Sequence, residues 1–231
     1  MKTIGLIGGM SWESTKEYYR IINQRINKIL GDNNSAPIIM HSLNFEEIKK
    51  LQFEGDHGWD TLNKRMAETA QKLETAGAQA VMICTNLMHK TAGYVEKSLT
   101  VPLIHIAEET AKHIKAKGVT KVGLLGTVFT VKENFYKDIL QKNGIEVYIP
   151  SETEIDVINL IIYDELCRGI FTEKSKKIMF ATIDHMIDKY AIEGVVLGCT
   201  ELPLIIKESK ITLFDTTTIH AEAAADFVLS D

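Results

Sequence analysis

Two of the three cysteines stand in matching surroundings, Ala80-Val81-Met82-Ile83-Cys84-Thr85 and Val195-Val196-Leu197-Gly198-Cys199-Thr200. Each ends a short apolar run that reads as a strand and precedes a plausible helix start. Thr85 or Asn86 is placed to cap the first helix and Thr200 the second, with Pro203 tolerated in the first turn. A thiol at about 8.5 is only a few per cent ionised at neutral pH. The partial positive charge and free amides of a helix N-terminus predict a lowered thiol pKa at both positions. Two such thiols in one site suit proton transfer at carbon. Inverting a stereocentre requires a base on one face and an acid on the other, and a thiolate with a thiol supplies both. Their roles exchange with the direction of reaction, and mutual repulsion makes the pair titrate as a unit. Flanking amides and hydroxyls would hold a carboxylate and the negative charge developing beside it. Read singly, either cysteine is a small apolar residue at a strand end; the matching contexts argue against that for the pair. Cys167 has no such context and reads as structural.

The elements that must position these thiols alternate, strand with helix, which predicts an α/β fold with mainly parallel sheet. Strands are expected at 3–7, 38–42, 80–84, 103–106, 121–125, 146–149, 195–198 and 212–214. Helices are expected near 14–30, 59–75, 107–117, 132–142, 154–168 and 172–190, with Gly31, Gly77, Gly118, Gly144 and Gly169 at their ends. The chain also repeats itself. Thr3-Ile4-Gly5-Leu6-Ile7-Gly8 recurs as Lys121-Val122-Gly123-Leu124-Leu125-Gly126, and each copy leads at nearly equal offset to its cysteine segment. Two similar domains related by a pseudo-twofold axis follow as the expectation, residues 1–103 with 210–231 and residues 104–209. Ligands of open α/β sheets bind at the carboxyl ends of the strands, so the site is expected in a cleft between the domains, with the cysteines on opposite sides.

A net charge of −5 and a pI near 5.8 argue against a nucleic-acid or anionic-membrane surface. No apolar run approaches a membrane span, and the N-terminal stretch reads as a first strand rather than a signal peptide. Three cysteines with no CxxC pair fit neither a disulfide framework nor a zinc site, which points to a reducing cytoplasm. His89, His105 and His220 are scattered in sequence and read as structural, so no metal is expected. Gly5-Leu6-Ile7-Gly8-Gly9 does not satisfy the dinucleotide fingerprint G-x-G-x-x-G. Asp56-His57 reads as a surface turn. Met10 and Trp12 either wall the site or pack against it.

At its motifs the chain resembles the aspartate/glutamate racemase family. Gly5-Leu6-Ile7-Gly8-Gly9-Met10-Ser11-Trp12-Glu13-Ser14 is similar to the family's opening loop. Cys84-Thr85-Asn86 with His89, and Gly198-Cys199-Thr200-Glu201, resemble its two catalytic motifs. Phe214-Asp215-Thr216 with Ile219-His220-Ala221-Glu222 resembles its C-terminal signature. The resemblance implies an amino-acid racemase that uses no pyridoxal phosphate or other cofactor, acts on a small-molecule amino acid and forms a homodimer. It implies Cys84 and Cys199 as the acid/base pair, with Met10, Ser11, Gln52, Thr85, Asn86, Thr127, Thr130, Thr200 and Glu201 lining the pocket. It also puts Arg168 where family members acting on acidic substrates carry a cation, and an arginine there pairs bidentately with a side-chain carboxylate. A solvated arginine at a helix end is the alternative. Aspartate or glutamate is therefore the expected substrate. The alternatives are a broad-spectrum racemase, a hydantoin racemase or maleate isomerase-like enzyme, and an inactive small-molecule binding protein on the same scaffold.

Overall fold

The structure, a computed structural model, describes residues 1–230. Its strands are β1 (Ile4–Gly8), β2 (Ile38–Ser42), β3 (Ala80–Ile83), β4 (Leu103–Ile104), β5 (Lys121–Leu125), β6 (Glu146–Tyr148), β7 (Gly194–Leu197) and β8 (Thr212–Asp215). They form two four-stranded sheets of identical order, β2-β1-β3-β4 and β6-β5-β7-β8, parallel throughout. All eight expected strands are present, with ends within two residues of the expectation. The helices are α1 (Trp12–Leu30), α2 (Phe45–Gln52), α3 (Gly55–Thr75), α4 (Ala92–Ser98), α5 (Ile106–Ala116), α6 (Val128–Lys132), α7 (Asn134–Lys142), α8 (Glu152–Leu160), α9 (Glu173–Tyr190), α10 (Leu202–Ile205) and α11 (Thr216–Leu229). No helix among the described residues is long and apolar enough to cross a membrane.

The chain divides into two compact units, residues 1–105 with 220 onward and residues 106–219. In the first unit, β1 and β3 are buried along their whole length, as central parallel strands covered on both faces must be. Tyr18, Ile22 and Ile26 recur every fourth residue on α1 and pack on this sheet with Ala221, Ala224, Ala225 and Val228 of α11. In the second unit two apolar clusters form. One joins Leu125, Val195 and Leu197 to Met179, Ile183 and Met186 of α9. The other joins Val122, Leu124 and Val196 to Ala107, Ala111 and Ile114 of α5 and to Phe214.

The chain leaves the first unit at His105 and returns at His220, not at residue 210. The reason is β8. It pairs with β7, Val195 opposite Leu213 and Val196 opposite Phe214, and buries Phe214 in the second core. Without it β7 would be an open apolar edge. The α11 segment has apolar residues all round rather than one stripe, so helical periodicity does not reveal it. Asp56 and His57 stand in the first turn of α3, not in a loop. The expected helix near 154–168 ends at Leu160 and continues as a π turn, Ile161–Glu165, and a 3₁₀ turn, Leu166–Arg168.

Candidate active site

In each sheet the central strand sends its connections to opposite sides, so the crevice lies at the carboxyl ends of β1 and β3 in one unit and of β5 and β7 in the other. Within each unit most of the expected site residues follow these strand ends, Arg168 excepted. In the first unit, β1 runs into Gly8-Gly9-Met10-Ser11, and β3 into Cys84-Thr85-Asn86. Gly9 turns the chain with φ +86°, and a Cβ there would stand 2.1 Å from the Leu43 carbonyl oxygen, so only glycine fits. Thr15 holds this loop from α1: its Oγ1 accepts from the Gly9 amide at 2.9 Å and donates to the Ser11 carbonyl at 2.7 Å. Met10 and Ser11 are buried beside it, whereas Trp12 is 61% exposed and walls nothing in this unit. Gln52, the last residue of α2, reaches Sδ of Met88 at 3.3 Å, just beyond the Cys84 turn.

Cys84 is fully buried. Its amide donates to the Ile7 carbonyl at 2.9 Å, continuing the β1–β3 ladder, and Thr85 closes a tight turn to Ile83 at 2.8 Å. A 3₁₀ turn, Leu87–Thr91, follows, rather than a long helix. In the second unit, Thr127 and Thr130 share a hydroxyl–hydroxyl hydrogen bond of 3.1 Å after β5. Cys199 lies beyond β7 and is 9% exposed. Its thiol donates to Glu201 Oε2 at 3.0 Å, and the Thr200 hydroxyl donates to the same oxygen at 3.1 Å. Glu201 and Thr200 are both buried. Pro203 falls in the first turn of α10 as expected.

The electrostatics reverse the expectation of lowered thiol pKa values. Burial pushes the Cys84 thiol up. Burial pushes Cys199 up as well, followed by the negative charge of Glu201 and the neighbouring Cys167. The helices after the two cysteines are a single 3₁₀ turn and the four residues of α10, and neither Asn86 nor Glu201 caps with its side chain. Their dipoles are too short to offset removal of a thiolate from water.

Two groupings escaped the sequence reading. Cys167 packs against the apolar cluster that contains Cys199. The buried Tyr163, from the π turn, is raised first by burial and then by Cys199, Cys167 and Glu201. The irregular winding at 161–168 was the available signal, since π turns concentrate at functional sites. His89, His105 and His220, remote in sequence, come together in the first unit, with ring centroids 4.6 Å apart for His89–His105 and 5.6 Å for His89–His220. Among the described residues no group of three or more His, Cys, Asp or Glu is arranged to hold a metal ion. Arg168 is exposed at the end of its 3₁₀ turn, and its side chain makes no ion pair or hydrogen bond among the described residues.

Known proteins are similar to this chain in sequence and fold. The chain is similar over its whole length to a crystal structure from Yersinia pestis assigned as an Asp/Glu racemase, at 45% identity and TM-score 0.90, covering 100% of both chains. It is similar to an aspartate racemase homologue from Pyrococcus horikoshii OT3 at 34% identity and TM-score 0.84, again covering 100% of both. It is 24% identical to the broad specificity amino-acid racemase RacX of Bacillus subtilis (strain 168) over 229 residues, 98% of each chain. The sequence pattern of the Asp/Glu/Hydantoin racemase family matches residues 7–224. With that match spanning both sheets and both cysteine turns, the chain belongs to the Asp/Glu/Hydantoin racemase family, a family of isomerases.

Proposed function

We propose that the protein is an amino-acid racemase that needs no pyridoxal phosphate, in which Cys84 and Cys199 exchange the Cα proton of aspartate or glutamate. The observation that carries this reading is the recurrence of a buried cysteine within two residues of the end of the same strand, β3 or β7, of two sheets with identical order. In one direction the thiolate of one cysteine takes the Cα proton, and the electron pair left on carbon delocalises into the substrate carboxylate. The thiol of the other cysteine then protonates the opposite face. The reverse direction exchanges the two roles. Because burial holds both thiols protonated, the active thiolate forms with substrate present, whose α-ammonium offsets the buried negative charge. Glu201, already accepting the Cys199 S–H, is the group that receives this proton when Cys199 is the base, and solvent receives it when Cys84 is the base. Ser11, Thr85, Asn86, Thr127, Thr130 and Thr200 supply hydroxyls and amides to the α-carboxylate and ammonium, with Met10 and Gln52 shaping the wall. The working form is a homodimer, testable by sedimentation.

Arg168 is the cation assigned to the side-chain carboxylate, free of any competing partner. A second reading, a racemase of broad specificity, is favoured by the full-length similarity to RacX and by the exposure of Arg168. One experiment separates them: amino acids offered singly in deuterated water, with chiral chromatography and mass spectrometry for Cα deuterium. Inversion with deuterium uptake confined to aspartate or glutamate supports the first reading. Uptake across neutral amino acids supports the second, and no uptake with any amino acid removes both.

A further inference from the structure

We propose that His89 is a positioning residue for Cys84, held in one tautomer by a buried column of rings. The inference rests on the proposed role of Cys84 and goes beyond it by naming what orients that thiol. The column draws on four separate segments of the first unit: Tyr18 of α1, His89 of the 3₁₀ turn after Cys84, His105 between β4 and α5, and His220 of α11. His105 and His220 are the residues at which the chain leaves this unit and returns to it, and both rings lie against His89. Tyr18 meets His220 edge-on at 5.6 Å.

The tautomers follow from the partners. A carbonyl oxygen only accepts, so His89 Nδ1, 2.8 Å from the Thr85 oxygen, carries the hydrogen. By the same argument His220 donates from Nε2 to the Ile104 oxygen at 2.7 Å, and its Nδ1 accepts from the Tyr18 hydroxyl at 3.1 Å. Burial keeps the rings neutral: it holds His89 well below the ordinary imidazole range, aided by its two histidine neighbours, His105 at about 4 and His220 at about 3.

His89 thus reaches back four residues and fixes the carbonyl of Thr85, in the peptide that joins Thr85 to Asn86. The Cys84 amide is already held by Ile7, and the Thr85 amide by Ile83. These two bonds tie the peptides on both sides of the Cys84 Cα, and His89 ties the next one, so three successive peptides of the turn that carries the thiol are held. Loss of the Nδ1 donor frees the last of these peptides and loosens the turn that orients the thiol.

The test compares H89L, H89N and H89Q. Asparagine presents its amide nitrogen near the Nδ1 position, glutamine presents it near Nε2, and leucine presents no donor. Peptide-resolved mass spectrometry follows iodoacetamide alkylation of Cys84 and Cys199, alongside racemisation kinetics. Expected for H89L is Cys84 alkylation faster by about 10-fold with Cys199 within about twofold, and kcat lower by about 10-fold at nearly constant KM. H89N is expected to stay within about threefold of the unaltered protein in both readouts, and H89Q to follow H89L. An unchanged Cys84 rate in H89L, an equal change at both cysteines, or failure of H89N to restore the rate overturns the proposal. Should H89L not fold, H89N against H89Q decides, and equal Cys84 rates in those two overturn it. Alkylation is read without substrate. A racemase reading lost through active C84A therefore remains distinguishable from a failure here.

Discussion

Cys84 and Gly198 occupy the same position at the ends of two equivalent ladders. The Cys84 amide donates to Ile7 at 2.9 Å, and the Gly198 amide donates to Leu125 at 2.7 Å. Ile7 stands opposite Ile83 in one sheet and Leu125 opposite Leu197 in the other. The two cysteines are therefore not strict equivalents: Cys199 lies one residue farther along its turn. That extra residue is a glycine for a steric reason, since a Cβ at Gly198 would meet the Leu125 oxygen and Leu124 Cδ1, each at 2.7 Å.

Gly198→Ala is expected to push the turn away from β5, lowering stability by about 1–3 kcal/mol and racemisation at least about 10-fold as Cys199 moves. Gly93→Ala is the control, because a Cβ in that part of α4 meets nothing within 4 Å. It is expected to stabilise by about 0.5–1 kcal/mol. Chemical denaturation of both variants checks the contrast, and equal effects would refute the steric argument.

C84A and C199A are each expected to lower racemisation in both directions by about 10²–10⁴, because one turnover needs acid and base together. Thermal melts should stay cooperative, since each change removes a single sulfur. Retention of near-normal racemisation by either variant excludes the two-base reading.

Glu201→Gln separates electrostatics from proton acceptance. Removing the charge that helps raise the Cys199 thiol should bring its pKa down and speed its alkylation near neutral pH. Racemisation should nevertheless fall by about 10-fold or more, since the acceptor for the Cys199 proton is gone. Parallel loss of both reactivities would indicate disruption of the turn instead.

The buried histidines predict an acid-side loss of stability. His105 and His220 sit at about 4 and about 3 in the folded chain, against an ordinary value of 6.5, because burial disfavours the charged ring. Between those limits the unfolded chain binds more protons. Stability is therefore complete above about pH 6.5 and falls as pH drops toward about 4, by up to ~1.4 kcal/mol per pH unit for each histidine. Urea midpoints measured from pH 7.5 to 5 check this. A flat profile, or one unaltered by replacing His105 with Gln, counts against it.

Much of the architecture was legible in residue order. The strands showed as short aliphatic runs, and the repeat around Gly5 and Gly123 announced two like halves. Cys84 and Cys199 stood out because similar surroundings recur at nearly equal offsets. The assignment of β8 to the second sheet was not legible, because an apolar strand satisfies either edge until the partner is known. Nor was α11, whose alanines show no amphipathic stripe.

What the sequence by itself determined is the fold class, the pairing of the cysteine motifs and the family, since these follow from local periodicity and motif content. Only the tertiary structure decided the protonation of the thiols, the one-residue offset between them and the histidine column. Burial, ladder register and ring contacts depend on segments as far apart as Tyr18 and His220, and no local pattern encodes the cost of taking a thiolate out of water.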